Sequence, residues 1–435
     1  MKYYSTNNRS EVTSLKQAVV KGLAPDKGLY MPERIEELPV SFFNNISHLS
    51  LQEIAKTVAY SFFGEDIDKE SLDLITEETL NFDIPLVEVD KNIFALELFH
   101  GPTFAFKDVG ARFMARMLSH FAKEQEQDTI NVLVATSGDT GSAVANGFLG
   151  VKGVKVFVLY PSGKVSDIQE AQFTTLGQNI TAIEVDGTFD DCQALVKSAF
   201  LDDELNNKMN LTSANSINVA RFLPQSFYYF YAYAQLINKN INNDVIISVP
   251  SGNLGNLTAG LFAKHMGLPI KKFIAANNEN DVFHKYLQTG DYMAHPSVRT
   301  IANAMDVGDP SNFARILDLY KHLYDNITSD ISSFRYSDKE IEECIKEVFN
   351  KKGYLLDPHG ACGYLAAKDS MKDGETSVFL VTAHPAKFKN VVERCINKSI
   401  EIPKGLASYM NGKKQTIKTD TNYNSFRKLL VESLK

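Results

Sequence analysis

The spacing of apolar positions along the chain changes near residue 85. Before it, LKQAVVKGL (Leu15 to Leu23) and LQEIAKTVAYSFF (Leu51 to Phe63) place apolar residues three and four apart, which predicts amphipathic helices, with turn chemistry at APDKG (Ala24 to Gly28). Residues 1–85 therefore read as a mostly helical amino-terminal region. After it, short apolar runs give way repeatedly to a polar or Gly-rich turn and then to helical spacing. IFALELF (Ile93 to Phe99), the run opening at Thr129, VKVFVLYP (from Val154), ITAIEV (from Ile180), VIISV (from Val245), FIAANNEN (from Phe273) and SVFLV (from Ser377) read as strands. Thr188 sits where it would cap the helix opening at TFDD. Strands alternating with helices predict an α/β fold of parallel sheets covered by helices. Residues 404–421, around NGKKQTIKTDTN, read as a polar loop before a last short helix.

In open sheets of this kind ligands bind beyond the carboxyl ends of the strands. Three stretches fall there and so belong to one crevice. HGPTFAFKD puts Lys107 between an apolar run and a helix whose stripe is Val109, Phe113, Met117 and Phe121. Taken alone, Lys107 is either an exposed residue after a loop or a dried-out amine. In the second case desolvation lowers its pKa and frees a nucleophile for a carbonyl. SGNLGN (Ser251 to Asn256) follows a strand and opens a helix. It is a tight turn or a cradle whose amides and helix dipole favour a phosphate. ATSGDTGSA (Ala135 to Ala143) is a capping turn or a carboxylate site at a helix amino terminus. Asp139 is awkward there, because its charge repels a second anion, so it reads as a cap or a loop organiser.

VTAHPAKF crowds polar groups at another strand end. Thr382 can hydrogen-bond a heteroaromatic nitrogen without protonating it, His384 reads as a satisfied loop histidine, and Lys387 reads as a surface residue. DPHGACG (Asp357 to Gly363) has the pattern of a helix entry packed beside the site. Cations for a second phosphate are Arg112, Lys164 and Arg221, each equally readable as solvated surface.

Composition narrows the partners. A net charge of −8 over 435 residues excludes a general affinity for nucleic acid or anionic membrane, and leaves room for a local basic pocket. Cys192, Cys344, Cys362 and Cys395 have no metal-ligand spacing, so no metal is expected and the context is reducing cytosol. The amino terminus lacks an apolar signal core, and no apolar run approaches the ~20 residues of a membrane span. Neither a Walker loop nor a GxGxxG fingerprint is present.

Taken in order, HGPTFAFKD, ATSGDTGSA, NSINVAR, VPSGNLGN, DPHGACGY and TAHPAKF resemble the threonine synthases, and KGLAPDKGLYMP resembles that family's opening segment. These are pyridoxal 5'-phosphate (PLP) enzymes of fold type II, the tryptophan synthase β type. The SGDTG form of the loop is the threonine-synthase version; several relatives on this fold carry Asn there. The resemblance implies a large cofactor domain (86–108 and 216–435) and a smaller inserted domain (109–215).

It also implies conversion of O-phospho-L-homoserine and water to L-threonine and phosphate by a cytoplasmic monomer or homodimer. Lys107 would carry the cofactor covalently and move protons. Gly252, Asn253, Leu254, Gly255 and Asn256 would hold its phosphate, and Thr382 would face its ring nitrogen. Ser137, Gly138, Asp139, Thr140 and Gly141 would surround the substrate carboxylate. Ser216, Asn218, Arg221, Arg112 and Lys164 would complete the substrate site. The alternatives are a phospho-lyase or serine/threonine dehydratase on the same fold, or a non-catalytic PLP-binding protein.

Overall fold

The structure, a computed structural model, describes residues 1–123 and 129–433. Two sheets carry the chemistry. The six-stranded sheet runs in the order Ile331–Arg335, Lys272–Asn277, Asp244–Pro250, Glu375–Val381, Ile93–Glu97, Leu86–Asp90. All its neighbours are parallel except the last pair, which is antiparallel with a bulge near Glu88. The five-stranded sheet is wholly parallel, in the order Ile417–Thr419, Ile180–Val185, Val154–Pro161, Ile130–Ala135, Leu211–Ser213. Its three central strands are buried along almost their whole length. That is why they read as unbroken apolar runs and not as alternating ones.

The helix after Lys107 spans Lys107–Lys123. Val109, Phe113, Met117 and Phe121 all lie in the core, as their spacing predicts. Burial of that stripe fixes the helix, and the helix fixes the lysine at its first position. Leu51–Phe63 is likewise a helix over its full predicted length, started by a capping box between Ser50 and Glu53. Thr188 caps Phe189–Phe200 with Asp191 in the same arrangement.

One expectation is extended and one corrected. The mostly helical amino-terminal region also contains an antiparallel three-stranded sheet of Val12–Ser14, Lys2–Ser5 and Tyr30–Pro32. Strands of three or four residues leave no periodicity to read. The wholly buried Arg315 anchors this sheet to the body, donating to the carbonyls of Tyr30, Ser216 and Ile217. Residues 404–421 are not a loop before a last helix. They contain the helix Lys404–Met410 and the strand Ile417–Thr419, which pairs with Ile180–Val185. The helix Tyr423–Glu432 then buries Phe426 and Leu430 against Leu195 and Ala199. The end of the chain thus packs on the five-stranded sheet, where the resemblance implies a place in the larger domain. Its edge strand is exposed and polar, so its pairing is set by a partner more than 200 residues away in sequence.

Candidate active site

A cleft of about 1670 Å³ opens between the two parallel sheets. Lys107, Ser137, Asp139, Thr140, Ser216, Arg221, Thr382 and the turn Gly252–Asn256 all line it.

Lys107 is held by its neighbours in sequence. Asp108 accepts from the Thr103 amide (2.8 Å) and the Thr103 hydroxyl (2.7 Å), which folds residues 103–108 into a closed turn. Phe104 within it takes a left-handed φ of 58°, a strain of roughly 1 kcal/mol or more at a residue with a Cβ. The loop is stitched to the neighbouring strand end: the Phe106 amide donates to the Thr382 carbonyl (2.9 Å) and the His384 amide to the Phe104 carbonyl (3.1 Å). The ammonium lies 4.9 Å from the centre of the Phe106 ring. Burial lowers the Lys107 pKa to about 8; Lys387 and Arg221 push the same way, and Asp139 opposes them. Of the two neighbouring phenylalanines, Phe106 supplies the ring over the amine, while Phe104 packs toward His384.

The turn after Asp244–Pro250 fits a phosphate-bearing group. Leu254 is left-handed (φ 59°), and the helix Gly255–His265 starts with neither a side-chain cap nor an acidic residue in its first turn. Its first amides are therefore unclaimed and its dipole end is open. A Cβ on Gly252 would sit 2.9 Å from the Ala304 carbonyl, so glycine is required for the 303–306 segment to close over the turn. Asn256 supplies a buried amide, with its oxygen accepting from the Tyr228 (2.6 Å) and Tyr229 (2.7 Å) hydroxyls. Those bonds fix the rotamer, and Nδ2 is left buried without a partner among the described residues. An orphaned buried donor beside uncapped helix amides is a place built for an anion.

Asn253 and Ser216 are knotted together. Asn253 Nδ2 (2.8 Å) and Asn312 Nδ2 (3.2 Å) both donate to the Ser216 hydroxyl oxygen, which leaves its hydrogen to donate elsewhere. In the loop after Ile130–Ala135, Thr136 Oγ1 accepts the amides of Gly138 (2.9 Å) and Gly141 (2.8 Å). These two glycines shape the turn, and their N–H groups are already used. The amides of Asp139 and Thr140, at the uncapped start of Asp139–Phe148, stay open to a carboxylate.

Three expected substrate residues lie elsewhere. Arg112 donates to the Thr79 carbonyl (3.1 Å), the Glu78 carbonyl and Asn81 (2.8 Å), closing the end of the helix Lys69–Thr79. It borders a separate cavity of about 200 Å³. Lys164 is exposed on the turn after Val154–Pro161. Asn218 is wholly buried and caps Val219–Phe222, with its amide nitrogen spent on the carbonyls of Val19 (2.9 Å) and Ser213 (3.2 Å). Arg221 differs from all three. It donates to the Ala214 carbonyl, its Nε has no partner among the described residues, and it lines the cleft.

Two residues near the cleft were not legible beforehand. Lys387 is wholly buried and paired with Asp139 at 2.7 Å, not a surface lysine. His359 accepts from the Ala304 amide through Nε2 (3.1 Å) and therefore donates from Nδ1 to Asp357 (2.6 Å), pinning the segment over Gly252. His384, as expected, is satisfied within its own loop, accepting from the Ala386 amide (3.1 Å).

Known proteins resemble the chain over its whole length. A family profile described as pyridoxal-phosphate dependent enzyme matches residues 79–383. Profiles for the threonine synthase N terminus and C terminus match residues 2–80 and 360–429. The threonine synthase of Haemophilus influenzae is 44% identical over 433 residues, covering 100% of both chains.

The chain belongs to the threonine synthase family.

Solved structures superpose over the same extent. The crystal structure of threonine synthase from Escherichia coli gives a TM-score of 0.93 at 41% identity over 100% of both chains. The PLP-bound threonine synthase from Brucella melitensis gives 0.92 at 34% identity over 99% of both. This family member is accordingly a PLP-dependent enzyme of fold type II. Among the described residues no helix is long and apolar enough to cross a membrane, and no cluster of metal-ligating side chains occurs.

Proposed function

We propose that the chain converts O-phospho-L-homoserine and water to L-threonine and inorganic phosphate. The observation that carries this reading is the presence, in one cleft, of a lysine with a lowered pKa and a turn whose buried donors have no protein partner. Bound PLP supplies the electron sink that acidifies the carbon next to the substrate amine.

The chain's own residues do the rest. Gly252, Asn253, Leu254, Gly255 and Asn256 would hold the cofactor phosphate through amides and the Asn256 side chain. Thr382, whose hydroxyl has no other hydrogen bond among the described residues, would face the ring nitrogen. The Asp139 and Thr140 amides with the Ser137 hydroxyl would hold the substrate carboxylate. Lys107, neutral above about pH 8, would take a proton from Cα and then one from Cβ as phosphate leaves Cγ, after which Cγ gains a proton, water adds its hydroxyl at Cβ, and Lys107 returns a proton to Cα. One amine can serve both carbons only with both on its face of the bound substrate. Arg221 and the Ser216 hydroxyl would grip the departing phosphate, the arginine through its unpartnered Nε. Approach of the two sheets' loops would exclude water until phosphate has left. With four free cysteines and no disulfide, the reading places the protein in the cytoplasm.

The test is product analysis. Incubation of the PLP-loaded chain with O-phospho-L-homoserine is expected to yield threonine and phosphate in equal amounts. Release of 2-oxobutyrate in place of threonine would replace this reading by a lyase or dehydratase.

A further inference from the structure

Asp139 poses a problem that the family reading leaves open. It stands in the loop that would receive the substrate carboxylate, and it is buried, so its charge is not screened by water. Lys387 answers it from the other sheet. The helical turn Pro385–Phe388, just beyond the strand Glu375–Val381, carries this side chain wholly into the protein. Its ammonium lies 2.7 Å from Asp139 Oδ1 and 2.8 Å from the Thr103 carbonyl. Gln169 donates to the same carboxylate oxygen at 2.8 Å, and its amide group fills the space where a Cβ on Gly138 would fall. Lys387 does not border the cleft, whereas Asp139 and Lys107 both do. The ammonium thus binds the loop of the five-stranded unit to the turn that carries Lys107, and does so from behind.

We propose that Lys387 is a positioning residue. It cancels the charge of Asp139 so that the loop can accept a carboxylate, and it keeps Asp139 from pairing with Lys107. The charged groups facing Lys107 are Asp139, Lys387 and Arg221, with Asp108 beside it in sequence. Removing the Lys387 charge leaves Asp139 to pull on Lys107 alone, which keeps the amine protonated to higher pH. A merely structural lysine would not do this.

The inference rests on the assignment of Lys107 as the reactive amine, and the test separates the two. In the full chain freed of cofactor, the pH dependence of Lys107 acetylation, read by mass spectrometry, gives its midpoint without any substrate. Lys387→Met is expected to raise that midpoint by about one unit or more, and the double variant Asp139→Asn/Lys387→Met to bring it back. In the PLP-loaded enzyme Lys387→Met is expected to raise KM for O-phospho-L-homoserine more than about tenfold, through like-charge repulsion, with the double variant again recovering. Lys387→Arg is expected to keep the wild-type midpoint. An unmoved midpoint in Lys387→Met, or a double variant as impaired as the single one, overturns the proposal. Should Lys387→Met not fold, Lys387→Gln carries the same expectation. A double variant that folds where both neutral singles fail supports the proposal, and one that fails alike overturns it. A wild-type enzyme inert towards O-phospho-L-homoserine would instead sink the proposed function while leaving the midpoints readable.

Discussion

The amide of Phe106 donates to the carbonyl of Thr382 at 2.9 Å. Through that bond the residue before the candidate nucleophile is tied to the residue that would face the cofactor ring. The bond lies beyond the ends of the parallel neighbours Ile93–Glu97 and Glu375–Val381, where Phe106–Thr382 and His384–Phe104 bonds make an antiparallel bridge between Ala105 and Ala383. The lysine turn and the Thr382 strand end are thus tied together directly, and the residues of the site can be tested one at a time.

Asn256→Ala removes the orphaned donor and also leaves the Tyr228 and Tyr229 hydroxyls, both buried, without their shared acceptor. Cofactor affinity is expected to fall at least about tenfold, and thermal unfolding of the cofactor-free chain to reveal a loss of about 1 kcal/mol, since the Tyr229 hydroxyl keeps the residue-256 carbonyl (3.0 Å) and the Tyr228 hydroxyl keeps Gln225 Oε1 (3.4 Å). Equilibrium dialysis and calorimetry read the two effects separately.

Gly252→Ala puts a methyl 2.9 Å from both the Ala304 carbonyl and Met305 Cα. The 303–306 segment must lift, which breaks its bond to His359. The expected result is weakened PLP retention with little change in the stability of the cofactor-free chain. His359→Asn should reproduce part of the loss, since its shorter side chain does not reach the Ala304 amide.

Arg112→Ala and Arg221→Ala should behave differently. The first takes hydrogen bonds from the last carbonyls of Lys69–Thr79, so it should lower stability by about 1–3 kcal/mol and leave KM unchanged. The second should raise KM for O-phospho-L-homoserine by more than about tenfold. Steady-state kinetics on both variants checks the contrast, which equal effects on KM would erase.

His384 stays neutral in the folded chain. Burial lowers its pKa from 6.5 to about 4, with nearby His100 acting in the same direction. The unfolded chain takes up a proton as pH falls through 6.5, whereas the folded chain waits until about 4. The folded state therefore loses stability across that window, at up to about 1.4 kcal/mol per pH unit. His384→Asn, which cannot titrate, should show a shallower decline between pH 6.5 and 4 when urea midpoints are compared.

How much of this was legible beforehand follows from what each residue depends on. The helix Leu51–Phe63 and the central strands declared themselves because their burial is decided by neighbours in sequence, so spacing alone carries it. The short strands Leu211–Ser213 and Ile417–Thr419 did not, since a three-residue strand exists only by virtue of its distant partner. The same distinction divides the site. Lys107 and the Gly252–Asn256 turn were visible in their local chemistry. Lys387 was not, because a lysine is buried only when a carboxylate meets it, and Asp139 lies 248 positions earlier on another sheet. Arg112 was misplaced for the converse reason: its helix position is right, but its side chain points to the carbonyl end of a neighbouring helix.

Everything above turns on which amine meets the cofactor. Borohydride reduction of the PLP-loaded chain, followed by digestion and mass spectrometry, should find the pyridoxyl phosphate group on Lys107 and nowhere else. A label on Lys387 or on a surface lysine, with Lys107 unmodified, would contradict the account at its root.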